Sequence, residues 1–167
     1  LAAISLIWNN IEKAVKAPDC MPARENMLLA SLQAGLAFSN ASLGAVHALA
    51  HSLGGYLDLP HGECNALLLE HVVRFNIEAS PERYRQIGEA MGLDMRGMTE
   101  RERAKRITEA LGALRIRVGI IDSLATRGVR SADISELAVH AINDACLVTN
   151  PRRARKADVE AIYGDAL

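Results

Sequence analysis

The sequence predicts an all-α protein: a single helical-bundle domain of about seven to eight helices, spanning residues 1–167. Three observations carry that reading. Half of the 167 residues are apolar but only 4% are aromatic, with two Phe, three Tyr and one Trp. Ala and Leu dominate beside Arg, Glu and Met, a vocabulary of helix formers that is too poor in aromatic and β-branched residues for a sheet. Apolar residues recur at spacings of three and four, and recognisable start and stop residues bound those runs.

Taken in order, Leu1, Ile4, Trp8, Ile11 and Val15 make one apolar stripe of a first helix. No Ser, Thr, Asp or Asn precedes it as a cap, so the chain is expected to be cut from something longer. "APDCMPA" (17–23) ends that helix, and "RENMLLASLQAGLAFSNA" (24–41) reads as a largely buried second one. "LGAVHALAHSLGG" (43–55) is a further apolar helix, with Gly54 and Gly55 where a C-terminal glycine belongs. After the turn "YLDLPHG" comes a helix over 63–79, then one opened by Ser80 and Pro81. "TERE" (99–102) is a capping box for a charged helix running to about Leu114. "LRIRVGI" (114–120) alternates like a strand, but one short strand cannot form a sheet alone. "SADISELAVHAINDAC" and "KADVEAIYGDAL" supply the last two helices.

Composition excludes some functions. A formal net charge of -1 lacks the basic excess that non-specific nucleic-acid binding requires. No apolar run approaches the ~20 residues of a membrane span, and the N-terminal segment has no basic region of a signal peptide. Three cysteines (Cys20, Cys64, Cys146), with no CxxC pair, suit a reducing compartment, so a cytoplasmic location is expected.

Three of the five histidines fall within "HALAHSLGGYLDLPHG", residues 47–62. His47 and His51 are four apart, on one helix face, the spacing by which HxxxH pairs chelate metals. In a continuous helix His61 would sit ~21 Å from His47, too far to share an ion. Gly54, Gly55 and Pro60 break the helix between them, which lets the chain turn back. Spacing alone favours His47 with His51 and leaves His47 with His61 open. Asp58 or Glu63, beside His61, would make a 2-His-1-carboxylate set; the plainer reading is a turn residue and a first-turn acid. His71 and His140 read as structural or exposed, "ERERAKR" as a solvated face, and "PRRARK" (151–156) as a link into the last helix.

The segment "FSNASLGAVHALAHSLGGYLDLPHGECNALLLEHVVRFN" (38–76) resembles the signature of iron-containing, group III alcohol dehydrogenases, and "NDACLVTNPRRARKADVEAIYGDAL" (143–167) resembles that family's closing stretch. The resemblance implies the family's dehydroquinate synthase-like C-terminal helical domain. It implies that His47 and His61 ligate Fe2+ or Zn2+ and that His51 lies near the nicotinamide of NAD(P) and moves a proton. Phe38 and Cys146 would then lie near the substrate, a small alcohol or aldehyde. The family's N-terminal dinucleotide-binding domain, which supplies an aspartate and a further histidine to the metal, is expected to be absent here: the sequence has no GxGxxG and no D-x-x-x-H segment. The chain alone is therefore expected to bind metal weakly and not to catalyse, with that missing domain as its partner and homo-oligomeric self-association through exposed apolar surface along Leu1, Ile4, Trp8 and Ile11. A glycerol dehydrogenase or maleylacetate reductase-like domain and a non-catalytic helical interaction module are the competing readings.

Overall fold

The computed structural model describes residues 1–167 and contains eight α-helices and three short 3-10 segments, with no strand. No helix is long and apolar enough to cross a membrane. The residues gather into two compact units, Leu1–Ser42 with Ser80–Gly119, and Leu43–Ala79 with Ile120–Leu167.

The first unit holds α1 (Ala2–Lys16), α2 (Met21–Ala41), α5 (Pro81–Ala90) and α6 (Glu100–Arg117). α1 packs along α2 and touches α5, which meets α6. The stripe of α1 is used in part: Ile4, Trp8 and Ile11 are half-buried, whereas Leu1 and Val15 stay exposed. The continuous exposed patch expected from Leu1 to Ile11 is thus absent. α2 departs further from expectation. Only Ala23 and Ala30 are buried, while Leu28, Leu32 and Leu36 are 72%, 61% and 61% exposed. The physical reason is its partner: α1 packs on the small-residue face, where Asn26 donates to Asn10 at 3.1 Å, and the leucines repeat every fourth residue on another face. Composition that is apolar all round does not say which side is covered.

The capping box of α6 forms as read. Glu102 N–H donates to Thr99 Oγ1 at 3.3 Å, and Thr99 N–H donates to Glu102 Oε2 at 2.8 Å. The strand-like "LRIRVGI" is instead the last turn of α6, which ends where Gly119 takes φ +93°.

The second unit holds α3 (Ala45–Leu57), α4 (His61–Asn76), α7 (Ile134–Ile142) and α8 (Lys156–Ala166), with 3-10 segments at Ile77–Ala79, Ser131–Asp133 and Ala145–Thr149. Its core is built from Leu49, Leu53, Leu68, Leu124, Leu137, Val159 and Tyr163, all fully buried. α3 is gripped from two sides. The buried Tyr163 hydroxyl of α8 donates to Leu49 O at 2.8 Å, and Ser52 Oγ donates to Leu137 O of α7 at 2.9 Å. Burial pushes the Tyr163 phenol well up, so it remains a donor. α3 does not stop at its glycines: Leu57 packs against the core and carries the helix two residues further, to a left-handed Asp58 at φ +54°.

Candidate functional site

The site is assembled at the start of α3 and the start of α4. Ala45 N–H, an unpaired donor of the first turn, reaches Asn150 Oδ1 at 3.0 Å. Gly44 permits that approach, because a Cβ there would lie 3.2 Å from the same oxygen. Asn150 also exchanges amide hydrogen bonds with the buried Asn76 and donates to Arg152 O at 2.6 Å. Arg152 in turn donates to Phe75 O at 2.9 Å and lies 4.3 Å over the Phe75 ring. "NPR" therefore clasps the end of α4 and the beginning of α3 together, and "PRRARK" is structural.

His47 and His51 follow on α3, one turn apart, with ring centroids 6.2 Å apart. The left-handed Asp58 turns the chain, Pro60 precedes the next helix, and His61 opens α4. The His61 ring then lies 5.4 Å from that of His47 and 5.1 Å from that of His51, stacked on the latter at 22°. Three imidazoles separated by up to fourteen residues thus converge.

Burial, and then the neighbouring His61 and His51, hold the His47 pKa below its ordinary 6.5, with Asp144 opposing. His47 is consequently neutral at pH 7, its lone pair available to a cation. The Asn65 amide donates to His61 Nε2 at 3.0 Å and to His61 O at the same distance, anchoring the ring to its own helix. His51 Nδ1 lies 2.9 Å from Asp144 Oδ2. The other oxygen of Asp144 accepts the Cys146 N–H at 2.7 Å, capping the 3-10 segment. Burial acts to raise the Asp144 carboxyl, but hydrogen bonds from Cys146 and His51 prevail and keep it below the usual carboxylate range. Burial and Asp144 push the Cys146 thiol up, so it stays protonated. Donor atoms of His51, Asp144 and Cys146 all lie within 4.8 Å of one another.

Of the residues singled out from the sequence, the second unit brings together His47, His51, His61 and Cys146. Phe38 belongs to the first unit, at the C-terminal end of α2, with 49% of its surface exposed. Glu63 is paired with Arg127, which also binds Asp122 at 2.9 Å, and Asp58 serves the turn. The Glu63 carboxylate is thus engaged by an arginine, while Asp58 contributes its backbone conformation to the turn. Two participants were missed: Asn65, on the same face of α4 one turn after His61, and Asp144. The i, i+4 spacing signals the first; the second lies 93 residues from its partner. The donor set fits a divalent transition metal, since imidazole nitrogens suit Fe and Zn.

The description of the Fe-containing alcohol dehydrogenase family, C-terminal, matches residues 1–167. The chain belongs to this family. Among iron-containing alcohol dehydrogenase relatives, it is 42% identical to the 1,3-propanediol dehydrogenase of Klebsiella pneumoniae, over 99% of this chain and 43% of that protein. It is 43% identical to the lactaldehyde reductase of Escherichia coli, over 86% of this chain and 38% of that protein. A crystal structure of a 1,3-propanediol oxidoreductase matches it with a TM-score of 0.96 at 41% identity, over 99% of this chain and 44% of that one. The chain thus spans less than half the length of these relatives, and the family name implies a metal.

Proposed function

We propose that residues 1–167 are the C-terminal metal-binding helical domain of an NAD(P)-dependent, iron-type alcohol dehydrogenase that interconverts small alcohols and aldehydes by hydride transfer. The observation that carries this reading is the approach of the His47, His51 and His61 rings to 5.1–6.2 Å of one another, from two helices joined by a turn.

His47 and His61 are assigned as ligands. His47 offers a neutral nitrogen, and the turn at Asp58 brings the His61 ring close enough for the two to share one ion, Fe2+ or Zn2+. The ion supplies Lewis acidity toward the substrate oxygen, and a nicotinamide supplies the hydride acceptor. His51 is assigned to move the hydroxyl proton and would stand near a nicotinamide when one is bound. The protonated Cys146 is assigned to the surroundings of the alcohol, and Phe38 is assigned to the substrate through the family resemblance alone. The remaining ligands and the dinucleotide site are assigned to the part of the relatives that this chain does not span, so the chain alone binds metal weakly and does not catalyse.

Calorimetric titration of the chain with Zn(II), and anaerobically with Fe(II), beside His61→Ala tests the reading. Binding that is micromolar or poorer and lost in the variant supports two ligands of an incomplete shell. Tight one-to-one binding would show that the chain completes its own shell. Binding indifferent to His61→Ala would return the pair to His47 with His51.

A further inference from the structure

We propose that Asp144 is a positioning residue for His51: it fixes the imidazole as the Nδ1–H tautomer, leaving Nε2 as the lone pair that receives the substrate proton. The second half of that statement rests on the reading of His51 given above. The first is a property of this chain alone.

An ionised carboxylate accepts hydrogen bonds and donates none. Its Oδ2 lies 2.9 Å from His51 Nδ1, so the hydrogen between them belongs to the imidazole. A neutral ring carries one N–H, and placing it at Nδ1 leaves Nε2 unprotonated. The ionised state is favoured because Asp144 also accepts the Cys146 N–H at 2.7 Å.

The carboxylate is also held still. A cap needs one oxygen; Asp144 caps the 3-10 segment with Oδ1 and turns the other toward a ring on another element. The segment is tied down at its far end. Thr149 Oγ1 donates to Leu43 O at 2.5 Å, and the next residue, Asn150, is locked by Asn76 and Ala45. His51 is anchored through the backbone of α3, where its neighbour Ser52 bonds to α7. Two fixed elements therefore meet at a charge-assisted hydrogen bond, which is short, directional and about twice as strong as a neutral one. The arrangement parallels the carboxylates that, from behind the ring, set the tautomer of functional histidines.

The test reads the tautomer directly. Long-range 1H–15N NMR of the labelled chain at about pH 8.5, some two units above the ordinary histidine value, distinguishes a protonated from an unprotonated ring nitrogen. The His51 signals are those lost in His51→Gln. The expected result is a protonated Nδ1 and an unprotonated Nε2. In Asp144→Asn the amide oxygen can still accept the Cys146 N–H while the amide nitrogen donates to Nδ1, so the protonated nitrogen switches to Nε2. A purely structural role would leave the tautomer unchanged in a folded Asp144→Asn chain, and that result overturns the proposal. An Nε2–H ring or a persistent imidazolium in the unsubstituted chain overturns it too, whether or not the variant folds. Adding Zn(II) to the same sample keeps the two readings apart: unmoved His47 and His61 signals would count against the metal assignment and leave the tautomer result standing.

Discussion

Asn76 and Asn150 hold each other by both amides, at 2.9 and 2.8 Å, across 74 residues of sequence. Asn76 is 5% exposed, and the Oδ1 of Asn150 that receives its amide also receives the first N–H of α3. One side-chain pair therefore joins the end of the His61 helix to the start of the His47 helix.

Removing one partner of a buried pair leaves the other without water or a substitute. Asn150→Ala strands Asn76 and the Ala45 N–H together and is expected to cost roughly 2–3 kcal/mol. Urea unfolding of the two chains measures it. A loss under about 0.5 kcal/mol, the scale of an ordinary surface change, would show that the clasp is dispensable.

Gly44→Ala probes the same joint from the other side. The added methyl would sit 3.2 Å from an oxygen that two hydrogen bonds hold in place, so it cannot simply move aside. The expected cost is about 1 kcal/mol. Thermal melts, with amide exchange at Ala45 and His47 accelerated in the variant, give the check.

In the first unit the stability of α6 depends on its capping box. Thr99→Ala removes the acceptor for the Glu102 N–H and the donor to its carboxylate and should cost about 1 kcal/mol. Thr99→Ser keeps both groups. It should recover most of the loss in the same denaturant titration, which separates capping from mere truncation.

Acid sensitivity is expected at Asp133. The Arg130 guanidinium and backbone N–H hold this buried carboxyl far below its ordinary 3.8. Because the folded value is the lower one, the unfolded chain takes up the proton first as pH falls. The stabilisation is fully present above the ordinary carboxylate range, and it is lost as pH drops below about 3.8 toward the folded value. Denaturant midpoints between pH 5 and pH 2, on the order of the carboxylate range, should therefore fall less steeply for Asp133→Asn than for the unsubstituted chain.

Leu32 is 61% exposed in the middle of the α2 stripe. Leu32→Lys should change unfolding free energy by no more than about 0.5 kcal/mol. It should also shift sedimentation toward the monomer if the stripe mediates self-association. A large destabilisation would mean that the leucine is covered in solution.

What could be read from the sequence followed the range of the interaction. The Thr99–Glu102 box and the His47–His51 pair lie within one helical turn, and both form as their spacing requires. His61 needed one further inference, that the chain reverses after α3. The reversal is real, but it is made by Asp58 rather than by the glycines before it. Asp144 carries no local signal: its partner is 93 residues away, and "NDAC" reads equally well as the end of a helix. The burial of α2 departs from its sequence pattern for a related reason. Leu28, Leu32 and Leu36 announce an apolar face, but only the packing partner decides whether that face is inside, and α1 chose the alanines.

The left-handed turn at Asp58 has a consequence for how this region tolerates change in length. Between the last residue of α3 and His61 lie three residues, Asp58 to Pro60, and with the packing of α3 on α4 they set how far the second ring stands from the first. An extra residue adds up to about 3.5 Å of reach, whereas metal–ligand distances tolerate about 0.2 Å. The connector thus behaves as a ruler. Insertions of one residue between Leu57 and His61 should abolish the shared ligation proposed for His47 and His61 while leaving both helices folded, whereas the same insertion between α5 and α6 should be silent at the site.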